Sequence, residues 1–197
     1  MTTFVASDIH FSHRNIFKYC PHRQHPGIDL ENITDEDCAK MNEKIIARWN
    51  SMIMPEDETY IIGDVAMGQI FKAPALIRRL NGTKYLIRGN HDKTLVRDIR
   101  EDEGLANLFA WVESYHEMTY KYAGEKIMIN MSHYPMHSWN KQSQGAVMLH
   151  GHLHGTPHGI PGRIKDVGID TNDLYPYRMD DVMKEVMSKP IRGNHHE

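Results

Sequence analysis

Five short clusters of Asp, Asn and His punctuate the chain: Ser7-Asp8-Ile9-His10, Gly63-Asp64, Arg88-Gly89-Asn90-His91-Asp92, Ser132-His133 and Gly151-His152-Leu153-His154. They offer imidazole nitrogens, carboxylate oxygens and one amide, with no thiolate. That donor set suits Mn²⁺, Fe²⁺, Co²⁺ or Zn²⁺ and argues against Ca²⁺ or an all-oxygen Mg²⁺ site. Asp8, His10, Asp64, Asn90, His133, His152 and His154 are enough for two ions if one Asp bridges them. Two divalent ions against two Asp charges leave a net positive centre. A bridging hydroxide and a phosphate ester would balance most of that charge, the arrangement of two-metal hydrolysis.

Each cluster follows a short apolar, β-branched or aromatic run: TFVA (3–6), TYII (59–62), KYLI (84–87), KIMIN (126–130) and AVMLH (146–150). Each run has strand length, and polar or amphipathic stretches separate them, so the chain reads as alternating α/β. In open α/β sheets ligands collect beyond the carboxyl ends of strands, so five such ends could converge on one cleft. A single His or Asp after a strand is ordinarily a hydrogen-bonded turn residue; five in succession are harder to assign that way.

The intervening segments must position those ends. Residues 34–53 predict a helix, with Thr34 and Asp37 in a capping-box pattern and Met41, Ile45, Ile46 and Trp49 on one apolar face. A shorter helix is expected at 73–81, with Pro74 in its first turn and Asn81-Gly82 as its stop. The closing helix, 179–189, carries Met179, Met183 and Met187 at i, i+4 spacing, which reads as core or dimer surface. VESYHEMTYKY (112–122), Ala123-Gly124 and EKIMIN alternate as a hairpin.

Composition narrows the class. A chain of 197 residues can bury a core without disulfides, and 1–189 reads as one domain with an unstructured tail at 190–197. Charge is nearly balanced, 23 Lys and Arg against 26 Asp and Glu, so no global positive field points to nucleic acid. Cys20 and Cys38 form no CxxC pair, there is no membrane-length apolar run, and the N-terminus lacks a signal-peptide pattern. A reducing, cytoplasmic setting with no membrane partner is expected. Histidine is the anomaly, with 14 residues against 5 Phe and 3 Trp. The tetrapeptide RGNH occurs twice, at 88–91 and 192–195; only the first follows a strand, and the second reads as coincidence, with His195 and His196 a source of adventitious metal binding.

Asp8-x-His10, Gly63-Asp64, Gly89-Asn90-His91-Asp92, His133 and Gly151-His152-x-His154, in that order, resemble the motif set of the calcineurin-like binuclear metallophosphoesterases. SDIHFSHRNI, MNEKIIARWNSMI, DETYIIGDVAMG, LNGTKYLIRGNHD and SHYPMHSWN resemble its small bacterial and phage members. The resemblance implies a single-domain α/β (α+β) sandwich of two mixed sheets packed face to face and flanked by helices. It implies one metal on Asp8, His10, Asp64 and His154 and another on Asp64, Asn90, His133 and His152, with Asp64 bridging. The cofactors would be two divalent transition-metal ions, Mn first, with Fe, Zn, Co or Ni as alternatives. His91 would be a catalytic non-ligand, proton donor to the leaving oxygen or charge stabiliser, with Asp92 orienting it. A metal-bridging hydroxide would attack phosphorus without a phosphoenzyme. Gly63-Asp64-Val65-Ala66-Met67-Gly68 lacks the second Asp and the Arg of the protein phosphatases, which argues against a phosphoprotein substrate.

His13 and Arg14 are candidate substrate-binding residues, one turn beyond the first cluster, with Asn15 a weaker third. The Cys20-Pro21-His22 and His25 stretch reads as a rim loop, and Trp139 as either a stacking platform or core. The expected activity is hydrolysis of small, nucleotide-like phosphate esters. A nuclease is the alternative and would need a basic track, for which Arg14, Lys18, Arg23, Lys141 and Arg163 are candidates. A non-catalytic scaffold would be expected to have lost ligands, and none is missing.

Overall fold

A computed structural model describes residues 1–193. In chain order the elements are β1 (Thr3–Ala6), α1 (Ile16–Tyr19), α2 (Asp35–Met52), β2 (Glu58–Ile61), α3 (Ala73–Arg78), β3 (Thr83–Ile87), α4 (Lys93–Glu101), β4 (Val112–Glu113), β5 (His116–Tyr122), β6 (Glu125–Met131), β7 (Val147–His150), β8 (Ile164–Asp166), β9 (Tyr177–Arg178) and α5 (Met179–Met187). They build two sheets, ordered β4-β3-β2-β1-β9 and β5-β6-β7-β8. Strands β1 to β4 are mutually parallel and β9 is antiparallel; β6, β7 and β8 are parallel and β5 is antiparallel. Both sheets are therefore mixed, as expected.

The alternation of strand side chains sorts them between two cores. Phe4, Ala6, Ile61 and Leu86 face a cluster with Met41, Ile45 and Trp49 of α2, whereas Val5, Tyr60, Ile62 and Ile87 face Ile129, Met131, Val147 and Leu149 of the other sheet. The sheets thus pack face to face over one shared core, which α5 closes with Met179, Val182, Met183 and Val186. Helix α2 starts where the capping box predicts: the Asp37 backbone N–H donates to Thr34 Oγ1 (3.2 Å) and the Thr34 N–H donates to Asp37 Oδ2 (2.8 Å).

Three details go beyond the sequence reading, the first as a departure from it. Residues 112–122 are not one strand, because β4 pairs with β3 in the first sheet whereas β5 pairs with β6 in the second. Only two residues, Ser114 and Tyr115, separate them, so the chain changes sheets within what reads as a single alternating run. Trp139 is buried and its Nε1 donates to the Ala146 carbonyl (3.0 Å), which makes it core. Residues 190–193 are placed against the body, with Arg192 Nη1 donating to His137 O (2.7 Å); the rest of the expected tail, 194–197 with His195 and His196, lies outside the described residues. Among the described residues no helix is long and apolar enough to cross a membrane.

Candidate metal centre

Strands β1, β2 and β3 run parallel in one sheet and β6 and β7 run parallel in the other, so the expected donors all leave the carboxyl ends of strands. Beyond those ends the main chain keeps pairing. Asp8 N donates to Gly63 O (3.0 Å), His10 N to Asp64 O (2.9 Å), and Gly151 N to His133 O (3.1 Å). Two bonds join the sheets at the site itself. The His133 ring Nδ1 lies 2.8 Å from Ile62 O, and the His152 N–H donates to Asp8 Oδ2 (2.9 Å).

Such close convergence needs unusual backbone. Asp8, His10, Asp64, His152 and His154 all have positive φ, between 49° and 72°. Asp and His tolerate this region better than most residues, but five together mark a strained site held by its surroundings. Gly89 is needed for space: a Cβ there would lie 2.2 Å from Asp64 Oδ1.

The donors fall into two clusters, Asp8–His10–His154 and Asp64–His133–His152, each offering atoms within 4.8 Å of one another. Asp64 Oδ2 lies 3.3 Å from His133 Nε2 and 3.8 Å from His10 Nε2, between the two. Asn90 Oδ1 is 3.0 Å from His133 Nε2. All seven expected ligands are thus brought together. His133 Nδ1 faces a carbonyl and so carries a ring proton, which makes Nε2, facing Asp64 and Asn90, the nitrogen that would bind a metal in exchange for its own proton.

The environment fits cations. Asp8 Oδ1 and both ring nitrogens of His10 are buried with no hydrogen-bond partner, and orphaned buried polar atoms are costly unless something binds them. A divalent ion is a group to which a carboxylate oxygen and an imidazole nitrogen can both donate a lone pair. Burial pushes the Asp8 carboxyl up to about 6 and holds His10 well below the ordinary histidine value, so His10 is a neutral imidazole. Burial also opposes the Asp64 charge, but hydrogen bonds and charge from His133, with the His91 N–H, bring its pKa down to about 2. Clusters of His, Asp and Cys that could hold metal are therefore present.

His10, His13, Asp64, His91, His152 and His154 line one cavity of about 320 Å³. The His91 side chain is 37% exposed, 3.9 Å from Asp64 Oδ2. His13 packs on His10 at 5.2 Å between ring centroids, and burial with nearby cations lowers its pKa to about 4. Two residues are engaged otherwise than expected. Arg14 is drawn to Asp35 on α2 and does not line the cavity. Asp92 does not orient the His91 ring: its buried carboxylate accepts the backbone N–H groups of Asp64 (2.9 Å), Val65 (2.8 Å) and Gly89 (2.7 Å), tying two donor loops together.

Sequence reasoning missed Arg23 and Asp170. Arg23 is 1% exposed, in the stretch read as a rim loop and counted in the basic track. Its guanidinium binds Asp170, whose Oδ2 is 2.7 Å from His154 Nδ1. A lone Arg among polar residues and a lone Asp in Gly168-Ile169-Asp170 carry no local signal.

No protein-family model matches the sequence. Over 153 residues the chain is 31% identical to the uncharacterized protein MJ1445 of Methanocaldococcus jannaschii, a match spanning 77% of this chain and 68% of that one. The chain belongs to the family of MJ1445. It is also 28% identical over 162 residues to the gene 66 protein of Mycobacterium phage D29, covering 70% of this chain and 79% of the phage protein. Among solved structures, a protein of unknown function from Aquifex aeolicus, AQ665, shares the fold, with a TM-score of 0.62, 21% identity and coverage of 93% and 98% of the two chains.

Proposed function

We propose that this MJ1445-family protein is a metal-dependent hydrolase of phosphate esters, acting on small, nucleotide-like mono- or diesters, as the resemblance to calcineurin-like metallophosphoesterases implies. The observation that carries the reading is the paired donor clusters sharing Asp64, with Asp8 Oδ1 and the His10 nitrogens buried and unpartnered. Asp8, His10, Asp64 and His154 would hold one ion, and Asp64, Asn90, His133 and His152 the other. Bound there, two divalent ions would supply Lewis-acid polarisation of phosphoryl oxygens and an activated water.

The chain's own groups do the rest. His91, on the cavity wall and partly exposed, can donate a proton from its imidazole to the departing ester oxygen. Its backbone N–H is spent on Asp64 Oδ1 (2.9 Å), which fixes where the ring starts. His13, held neutral, can donate one hydrogen bond to a phosphate oxygen without adding charge.

An oligonucleotide substrate is the second reading, and one observation favours it. Arg88, Lys93, Arg97 and Arg100 line a cavity of about 580 Å³, and the first two flank Asn90-His91-Asp92 in the sequence. The basic track expected from sequence does not form as such, since Arg23 is buried and Arg14 is paired with Asp35.

Both readings are tested by a hydrolysis panel with Mn²⁺: aryl mono- and diesters, 2′,3′- and 3′,5′-cyclic nucleotides, dinucleoside polyphosphates and single-stranded oligonucleotides. Turnover of a small ester that EDTA abolishes is expected. Inactivity on the whole panel, with two ions bound, would overturn the assignment. Oligonucleotide cleavage that weakens steeply with salt would favour the second reading.

A further inference from the structure

Arg23 and Asp170 are buried, charged and outside both donor clusters, and the proposed chemistry uses neither. We propose that they form a positioning pair that builds one of the two metal sites, that of Asp8, His10 and His154, while the other site depends on different supports. The inference rests on the metal-dependent reading of the site.

Asp170 lies in the short turn Ile169–Thr171, which is pinned to the end of β1 by the Ile169 N–H donating to Ser7 O (3.0 Å). Its Oδ2 accepts a hydrogen bond from His154 Nδ1–H at 2.7 Å. That leaves Nε2 as the nitrogen free to bind, and Nε2 is the one 3.9 Å from Asp8 Oδ1.

The same carboxylate is gripped by Arg23, Nε to Oδ1 at 2.7 Å and Nη2 to Oδ2 at 2.8 Å. The guanidinium also donates to the main-chain oxygens of Asp8 (Nη2, 2.6 Å) and Ile9 (Nη1, 2.8 Å). Those carbonyls belong to the turn in which Asp8 and His10 have φ of 57° and 51°, a conformation that persists only where neighbours enforce it. One planar fork therefore ties together the supports of all three donors. A lysine ammonium, a point charge, could not span these acceptors.

Cys20 Sγ, 3.8 Å from His154 Nδ1, could suggest a third ion between Cys20, His154 and Asp170. The guanidinium on both Asp170 oxygens opposes a cation there, which favours support over ligation. The second cluster is built otherwise. His133 Nδ1 is held by the Ile62 carbonyl, and the Asp64 loop by its neighbours' backbone and by Asp92. The two sites should thus be separable by mutation.

The test is Co²⁺ titration of full-length, metal-stripped wild type, Asp170→Asn, Arg23→Lys and two double variants. Wild type should take up two ions. Asp170→Asn and Arg23→Lys should keep one at wild-type affinity and bind the other about 10- to 100-fold more weakly. Adding His154→Ala to Asp170→Asn should weaken only the already weakened site and leave the tightly bound ion in place, whereas adding His133→Ala should remove the tightly bound one. A merely structural role would weaken both sites together, and that result, or two ions bound normally by Asp170→Asn, overturns the pair. If the variants do not fold, nitrogen NMR of the Zn²⁺-loaded wild type decides: Nδ1–H with metal-shifted Nε2 on His154 is expected, and the reverse tautomer overturns it. Wild type that binds no Co²⁺ would overturn the metal-dependent reading along with the pair.

Discussion

Gly151, at the exit of β7, packs directly against the donor loop that leaves β1. A Cβ built there would lie 1.8 Å from Ser7 Oγ, 2.4 Å from Asp8 Oδ2 and 2.6 Å from Ser7 Cβ. Ordinary contacts need roughly 3.5 Å, so Gly151→Ala must drive the β7 loop and the β1 loop apart by over about 1 Å. Neither neighbour yields freely: Ser7 is fully buried with its hydroxyl donated to Ile62 O, and Asp8 Oδ2 accepts the His152 N–H. Overpacking of this kind costs about 1–3 kcal/mol. Displacement of His152 and His154 by about 1 Å should cost about 100-fold in turnover as well. Urea unfolding of the metal-free protein gives the first number, and Mn²⁺-dependent ester hydrolysis the second. A Gly151→Ala protein with stability within about 0.5 kcal/mol of wild type and unaltered turnover would refute the claim that contact between these loops defines the site.

Asp64→Asn should abolish both turnover and two-ion loading, whereas His91→Gln should keep its metal and lose rate by about 100-fold or more; unchanged turnover in His91→Gln would remove it from the chemistry. Asp92→Ala leaves three backbone N–H groups without their acceptor, so it should destabilise the fold by about 3 kcal/mol or more in denaturant titration, and a loss under about 1 kcal/mol would contradict that role. The pKa of Asp8, raised by burial, means that between pH 3.8 and about 6 the folded protein keeps a proton that the unfolded chain has lost. Its buried carboxylate therefore opposes folding above that window, and a bound cation relieves the opposition. The rise in Tm on adding Mn²⁺ should be largest near pH 7.5 and shrink as pH falls through 6, and an equal rise at pH 5 would count against Asp8 as a ligand.

Most strands and the long helix were legible because their signals are local. Short apolar runs of strand length mark β1, β2, β3, β6 and β7, and the Thr34–Asp37 capping box fixes the start of α2. Strands β8 and β9, of three and two residues, carry no periodicity, and exist because a neighbouring strand offers them hydrogen bonds. The switch of sheets at Ser114 and Tyr115 is equally silent, since the alternation of side chains runs on through it.

The amino-acid sequence by itself determined which chemistry is on offer: imidazoles, carboxylates and an amide, each set at the end of a strand-like run. Tertiary structure decided what each residue does with it. It gathered seven donors with Asp64 among them, took Arg14 and Trp139 out of the site, gave Asp92 to the backbone, and brought Arg23 and Asp170, 147 residues apart, beside His154. The physical reason is that a donor's type is written in one residue, whereas its partner, tautomer and charge depend on which other buried group the fold places within about 3 Å of it.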